Sequence, residues 1–177
     1  MTTSNWNLDK SHSGITFSVR HMMITNVRGS FNDFDAVVTA DTDNLSGTEA
    51  TITIDVNSIN TKDEGRDGHL KSPDFFNAEQ FPQIIFKKTA LESKGGDDYK
   101  LTGDITIAGV TKSITLNAEL AGPAKDPWGN VKLGVTADGV ISRSEFGLSW
   151  NATLETGGFL VGDAIKVHIE LEFAKAD

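Results

Sequence analysis

The sequence predicts an all-β protein that folds as a closed antiparallel barrel of roughly eight strands with one short helix. Most segments alternate apolar and polar residues with the period of a half-buried strand. Short turns separate nearly all of these segments. No helical layer is available to cover an apolar sheet face, so the sheet has to close on itself. The one departure from this pattern is a long, charged and aromatic connection, residues 60–86.

Composition describes a globular chain that is acidic and free of cysteine. The 177 residues suit one domain, which we predict to span 1–177, and 38% of them are hydrophobic. The net charge of −9 argues against a nucleic-acid partner and against electrostatic docking on anionic lipid. The lack of cysteine excludes disulfides and thiolate chemistry. The N-terminal residues have neither region of a signal peptide, so we expect a cytoplasmic protein.

The first half of the chain contains three predicted strands. The first covers 14–23 and ends in a short helical turn at HMMIT. Residues 27–40 continue as one strand, in which Gly29 accepts a bend or a close backbone contact. The alternating pattern returns at 49–59, just before the long connection.

The second half consists almost entirely of predicted strands. The strands at 99–107 and 110–120 form a hairpin, because only Ala108 and Gly109 separate them. The other predicted strands cover 83–93, 131–146, 148–155 and 164–173.

The long connection contains the predicted helix. Thr61 or Asp63 caps this helix, which runs through Leu70 until the following proline stops it. Arg66 and His69 lie three residues apart and therefore share a helix face beside the aromatic residues. Two roles stay open for them. They contact a polar head group, or Arg66 pairs with a carboxylate and fixes the connection.

Few residues offer catalytic or metal-binding chemistry, so we predict a protein that is not an enzyme and has no metal site. The histidines lack a metal-binding spacing, and no nucleophile elbow, P-loop or dinucleotide fingerprint is present. Asp63, Glu64 and Asp67 depart from the calcium-loop spacing. His168 falls on a polar strand face, and Lys112 falls close to a turn. Both positions indicate solvated side chains.

The inward phase of the predicted strands is apolar. A barrel of eight strands is wide enough either to be filled by side chains or to enclose one ligand. Periodicity alone favours a filled core. A cavity with such a lining would accept a hydrocarbon and reject a charged molecule.

Six short motifs follow one another along almost the whole chain: WNLDKSHS at 6–13, FSVRHM at 17–22, RDGHLKSPDFF at 66–76, FPQIIF at 81–86, GDITIAGVTK at 103–112 and RSEFG at 143–147. In this order they closely resemble the YceI-like family, also called polyisoprenoid-binding lipocalin-like proteins. Ile105 replaces the leucine of the family pattern, which is a conservative exchange.

The resemblance implies an extended eight-stranded antiparallel lipocalin-like barrel with a short helix in the long connection. It also implies an elongated apolar pore that holds an isoprenoid chain, such as a polyprenyl or quinone tail, with no other cofactor. Many relatives are periplasmic. The residues predicted to contact the ligand are Phe17, Val19, Met22, Ile52, Ile54, Val56, His69, Phe75, Phe76, Phe86, Ile105, Ile107, Ile114, Leu116, Phe146, Ile165, Val167 and Ile169.

From this resemblance we predict a protein that binds, and carries or stores, an isoprenoid or other long-chain lipid. Its partners would be that lipid, a membrane in transient contact and a second copy in a homodimer. In this interpretation, residues 60–86 cover the pore.

Two alternatives belong to other classes of protein. The first is an enzyme acting on a lipid-like substrate through Arg66, His69 and nearby carboxylates. The second is a filled-barrel, stress-related interaction protein that dimerises through an exposed patch of Phe75, Phe76 and Phe81.

Overall fold

The computed structural model describes residues 3–176, whose strands join into one sheet. Within this range the α-helix α1 covers Glu64–Lys71, and no helix is long and apolar enough to cross a membrane. The strands are β1 Ser4–Leu8, β2 Gly14–His21, β3 Thr25–Phe31, β4 Phe34–Asp41, β5 Asn44–Asp55, β6 Ile59–Asn60, β7 Gln83–Gly95, β8 Asp98–Ile107, β9 Val110–Lys125, β10 Val131–Ser142 and β11 Val161–Lys175.

Eight of these strands close the barrel. They follow the order β1-β4-β5-β7-β8-β9-β10-β11, and β11 returns to pair with β1 through Leu8 and Phe173. The first half of β11 pairs instead with β2, which pairs with β3, and β3 pairs with β6. These three strands lengthen the barrel beyond the closed ring. The prediction of an extended eight-stranded antiparallel barrel is confirmed.

The prediction of one strand over 27–40 is wrong, because Asn32 and Asp33 interrupt it. The amide of Asn32 donates to the Ser58 carbonyl over 3.2 Å, and the Asp33 carbonyl accepts from the Asp55 amide over 2.9 Å. These bonds separate β3 from β4, so β3 lies against β2 and β6 while β4 lies against β1 and β5. The inward phase shifts by one residue at this break, from Phe31 in β3 to Phe34 and Ala36 in β4, and this shift was a visible signal that the single-strand prediction overlooked.

Three other segments also differ from the prediction. The strand predicted over 131–146 ends at Ser142, and Arg143–Phe146 form a 3-10 turn. Residues 148–155 form a loop, because the Leu148 and Trp150 carbonyls accept hydrogen bonds from the Arg143 side chain instead of a neighbouring strand. The HMMIT segment is the tip of the β2–β3 hairpin and not a helical turn. Met22 and Met23 there have φ of 52° and 61°, in the left-handed region.

The helix cap and the predicted hairpin are both confirmed. Asp63 is the cap, and its Oδ1 accepts the Arg66 amide over 3.0 Å. In the hairpin Ile107 pairs with Val110, and the two turn residues between them have φ of 49° and 79°. Positive φ at both central positions is the geometry of a type I′ turn, which matches the twist of the flanking strands.

The two ends of the barrel are closed in different ways. We call residues 61–82 the cover, and we call the end of the barrel at which they lie the cover end. The β2–β3 hairpin tip and the loop 147–160 lie at the same end. At the opposite end, Trp6, Leu133 and Phe173 are buried and fill the barrel. Any internal space therefore lies towards the cover end.

An ionic cluster fixes the junction of β1 and β2 on β11. Asp9 Oδ2 lies 2.9 Å from His12 Nδ1 and 3.3 Å from Lys132 Nζ, and Glu172 Oε2 lies 3.4 Å from His12 Nδ1. Hydrogen bonds from Ser11 and His12 hold the pKa of Asp9 far below its usual range. The hydrogen bond to Asp9 in turn raises the pKa of His12. The sequence does not reveal this cluster, since Glu172 comes from the last strand.

We expect the stabilising effect of His12 to depend on pH. Its folded-state pKa is raised, so its contribution is complete below the unfolded value of about 6.5 and is lost as pH rises through the folded pKa. The substitution His12→Gln should therefore lower the urea midpoint more at about pH 5.5 than at about pH 9. Equal losses at the two pH values would show that the charge of His12 does not contribute.

Candidate functional site

An apolar channel runs inside the barrel from the cover end. Its volume is about 190 Å³, and its lining on β11 extends from Val161 to Leu171. Ten residues of strand span about 33 Å, which a strand tilt near 40° reduces to about 25 Å along the barrel axis. The channel is therefore long and narrow.

All but three of the residues predicted to contact the ligand line this channel, although their role in binding stays a prediction. They come from six strands, the cover and the 3-10 turn at Arg143–Phe146. The lining residues are Phe17, Val19, Ile52, Ile54, Phe75, Phe76, Phe86, Ile105, Ile107, Ile114, Leu116, Phe146, Ile165, Val167 and Ile169.

Met22, Val56 and His69 do not line the channel. The left-handed turn at the hairpin tip leaves Met22 exposed. Val56 keeps the apolar phase of β5 in the sequence, but it lies in the 3-10 turn that follows the strand and is buried in the core away from the channel. The His69 ring packs edge-on against Trp150 with centroids 4.6 Å apart, and its Nε2 lies 2.9 Å from an Asp74 carboxylate oxygen.

The prediction also missed one whole wall of the channel. Val135, Ala137 and Ile141 line it from β10, where their two-residue spacing was a visible signal. Ile15, Ile84 and Leu101 also lie on apolar strand phases. Phe31, Val161 and Leu171 likewise lie on the apolar phases of β3 and β11. The remaining lining residues have no such signal, because they lie on a polar phase, in the two-residue β6 or beyond the strands: Thr16, Ile59, Leu70, Arg143 and Leu148.

A row of aromatic rings forms the wall below the cover. The centroids of Phe17 and Phe31 lie 5.5 Å apart, and those of Phe31 and Phe76 lie 6.1 Å apart. Gly29 allows this packing, because an added Cβ there would lie 2.5 Å from Phe17 Cζ. The close contact at Gly29 is therefore made by side chains and not by the backbone contact that the sequence suggested.

The cover closes the channel and does not form the exposed aromatic patch of the alternative hypothesis. Phe75 is buried, and Phe76 lines the channel together with Leu70. Phe81 packs on the β8–β9 turn, where an added Cβ on Gly109 would lie 2.8 Å from its ring. The three phenylalanines therefore face inward, which contradicts the idea of a dimer interface built from them.

Arg143 is the one ionisable residue among those that line the channel within residues 3–176. It is 7% exposed. Its Nη1 donates to the carbonyls of Leu148 and Trp150 over 2.6 and 2.9 Å. Its Nε and Nη2 donate to the carbonyls of Gly162 and Val161 over 2.8 and 3.2 Å. These bonds join the loop 147–160 to the start of β11, so one buried side chain holds the cover end together.

The charge environment of Arg143 is dominated by burial. Burial lowers the pKa of Arg143, and the nearby Asp163 carboxylate opposes this effect. Hydroxyl hydrogen bonds from Ser142 and Ser144 lower the pKa of Asp163 and keep it anionic. The guanidinium also lies 5.9 Å from the ring centroid of Phe75, within the range of a cation–π contact. Positive charge is thus retained at the cover end of an otherwise apolar channel.

Arg66 and His69 do not form a joint site. Arg66 Nε and Nη2 donate to the Thr61 hydroxyl and carbonyl over 2.9 and 2.7 Å, and its Nη1 lies 3.9 Å from an Asp63 carboxylate oxygen. Arg66 therefore fixes the start of the cover, which is the second of the two roles that the sequence left open. An enzyme site built on this pair has no support in the geometry.

The other two charged positions singled out by the sequence lie outside the barrel. Lys112 is exposed near the β8–β9 turn. His168 lies on the outer face between Asp138 and Glu170, whose hydrogen bonds raise its pKa. Neither residue contributes to the channel.

We expect Arg143→Met to lower the free energy of unfolding by about 3 kcal/mol, because it leaves four carbonyl groups without their buried donor. Urea denaturation measures this loss. The matched control is Arg20→Met at an exposed position, where the change should stay within about 0.5 kcal/mol. A loss below about 1 kcal/mol for Arg143→Met would contradict the assigned structural role.

Known proteins resemble this chain over almost its whole length, in sequence and in fold. A UPF0312 protein of Staphylococcus aureus is 40% identical over 97% of this chain and 98% of its own length. The crystal structure of Burkholderia cenocepacia BcnA is 25% identical, with a TM-score of 0.82 over 94% of this chain and 99% of its own.

A second similar structure shares the fold at low sequence identity. It is a polyisoprenoid binding domain from Saccharophagus degradans, which is 16% identical, with a TM-score of 0.68 over 99% of this chain and 100% of its own. The family model of the YceI-like domain matches residues 6–173, which include most or all of every strand of the closed ring. The chain therefore belongs to the YceI-like domain family.

Proposed function

We propose that this protein binds an isoprenoid lipid, such as a polyprenyl or quinone tail, in its channel and carries it between membranes. The observation that carries the proposal is the lining, in which every residue except Thr16 and Arg143 is apolar. A hydrocarbon gains from this surface, whereas a charged ligand would lose hydration without gaining partners. The Saccharophagus domain, named for polyisoprenoid binding, supports the same class of ligand for this fold.

The shape of the channel favours a single linear chain. A volume of about 190 Å³ is smaller than the 300–1,000 Å³ typical of small-molecule pockets, although the lining is long. A bulky ring system would not fit this width, and an extended tail would. The buried side chains of Trp6, Leu133 and Phe173 block the far end. A ligand longer than the channel therefore has to project at the cover end or displace part of the cover.

Arg143 gives the proposed ligand a direction. Its five N–H groups have four carbonyl acceptors, and no acceptor within residues 3–176 is found for the fifth, which is on Nη2. A hydroxyl or quinone oxygen at one end of an isoprenoid would accept this hydrogen bond. We infer that the tail points towards Trp6 and the polar end lies at the cover.

The free energy of lipid transfer favours a reversible carrier over a protein that binds its lipid irreversibly. Burial of hydrocarbon from water contributes about 0.8 kcal/mol per CH₂, so a tail of about forty carbons would exceed the practical ceiling of about 20 kcal/mol. Such a lipid starts in a membrane, however, where its tail is already buried. Transfer into the channel then changes little apolar exposure, and the exchange stays reversible.

The lipid bound to the purified protein tests the proposal. We expect protein purified without detergent, or incubated with a polyprenol, to release isoprenoid on solvent extraction, detected by mass spectrometry. If neither preparation contains isoprenoid, the proposal is wrong.

A charge in the channel should prevent loading. Val167 lines the channel from β11, and Val140 lies beside Lys166 with its side chain 60% exposed on the outer face. We expect Val167→Glu to abolish polyprenol uptake, because the carboxylate cannot be desolvated beside a hydrocarbon tail. The matched variant Val140→Glu should load as the wild type does. Equal loading of the two folded variants would place the ligand elsewhere.

A larger apolar side chain offers an independent test that adds no charge. Ala137 is buried on the channel wall, so Ala137→Phe should fill part of the 190 Å³ and reduce uptake. Overpacking costs about 1–3 kcal/mol, which leaves the protein folded for the measurement. Circular dichroism verifies the fold. Unchanged uptake in a folded Ala137→Phe variant would contradict a ligand site in this part of the channel.

A further inference from the structure

Four large apolar side chains project into solvent at the cover end. Met22, Met23 and Ile24 at the β2–β3 hairpin tip are 41%, 63% and 67% exposed, and Phe159 in the neighbouring loop is 60% exposed. The Met22 amide donates to the Leu160 carbonyl over 2.8 Å, which holds the hairpin and the loop side by side. We call these four residues the apolar tip. Their exposure has no role in folding the barrel.

The apolar tip adjoins the channel. Met23 and Phe159 line a surface groove of about 540 Å³, together with the outward-facing Arg20. Arg143 and Val161 line both this groove and the channel, so one layer of side chains separates the two spaces. A lipid leaving the channel past this layer would emerge beside the apolar tip.

The charge around the hairpin part of the apolar tip differs from that of the whole protein. The net charge is −9, yet residues 14–32, which contain the hairpin, have no aspartate or glutamate and include Arg20 and Arg28. Carboxylates close to an apolar tip would oppose its approach to a membrane, both by desolvation and by repulsion from anionic head groups. The hairpin is free of that barrier, whereas the exposed Glu155 in the loop of Phe159, and Asp163 in the groove, retain part of it on the other side.

The shape of the apolar tip fits a bilayer better than a second protein chain. A stable protein interface buries about 800 Å² on each partner and uses 20–30 residues a side. The tip offers four apolar side chains on a protruding hairpin and loop. Side chains of this kind insert into the head-group and acyl boundary of a bilayer, which deforms around them.

We propose that the apolar tip docks the protein on a lipid bilayer and marks the end at which the channel exchanges its lipid. This inference rests on the proposed carrier function and adds the surface that contacts the membrane and the orientation of the docked protein. Docking through apolar side chains is consistent with the acidic charge of the chain, because it does not require electrostatic attraction.

The experiment compares two matched double variants of the full chain. Ile24→Ser/Phe159→Ser removes apolar surface from the tip, and Val37→Ser/Trp128→Ser removes it elsewhere, at side chains 72% and 84% exposed. Flotation with vesicles of equal parts phosphatidylcholine and phosphatidylglycerol measures docking. Transfer of dansyl-labelled polyprenol between two such vesicle populations measures exchange, and uptake of the same probe from dilute ethanol measures loading without a membrane.

We expect the tip variant to float less and to transfer the probe about tenfold more slowly or worse, while its loading from ethanol is unchanged. The control variant should match the wild type in all three assays. Equal transfer by the tip variant and the wild type would overturn the inference. So would light scattering that shows a wild-type dimer and a monomeric tip variant, because the tip would then contact a second copy.

The two proposals fail in different assays. If the wild type takes up no polyprenol from ethanol, the carrier function fails. If the wild type loads normally but floats with vesicles no better than the tip variant does, the carrier function stands and the docking inference fails.

Discussion

The pairing of β11 with two different strands is the constraint on which the rest of the structure depends. Its last residues close the ring against β1, and its first half pairs with β2. The barrel is therefore longer than a ring of straight strands, and the chain has to break at Asn32 and Asp33 to follow both halves. Length without added width produces a channel in place of either a filled core or a round chamber. The open side at the cover end then needs a separate segment to close it, which explains the cover.

Alternation predicted the strands of the ring and which of their residues point inward, because the side chains of a regular strand alternate between its two faces. Leu116 and Val167 are examples, and their neighbours on the same phase followed directly. The channel itself was expected only from the family resemblance. One failure, the β10 wall, lies in a regular strand whose signal was overlooked. The false positives lie where regular geometry ends. Val56 keeps the phase of β5 but lies in a 3-10 turn, and Met22 lies in a left-handed turn.

The role of Arg143 was not predictable from the sequence for a different reason. Its position in the RSEFG motif marked it for the family resemblance, but a lone arginine gives no indication of its acceptors. These acceptors are backbone carbonyls, including those of Leu148 and Val161. Since every residue has a carbonyl, no side-chain pattern identifies the ones that a buried cation will use. The same limit applies to His69, whose helix position was predicted but whose partner Trp150 lies in a distant loop.

Arg143 and His69 together link the two segments that close the cover end. The rings of His69 and Phe75 in the cover both contact Trp150, and Arg143 binds the carbonyl of the same tryptophan. The cover is also fixed at its start, where Arg66 and Asp67 bond the buried Thr61. Displacing the cover alone would therefore expose Trp150 and break the aromatic contacts. A smaller displacement of the loop 147–160, around the side chain of Arg143, would connect the channel to the groove while the cover keeps its anchors.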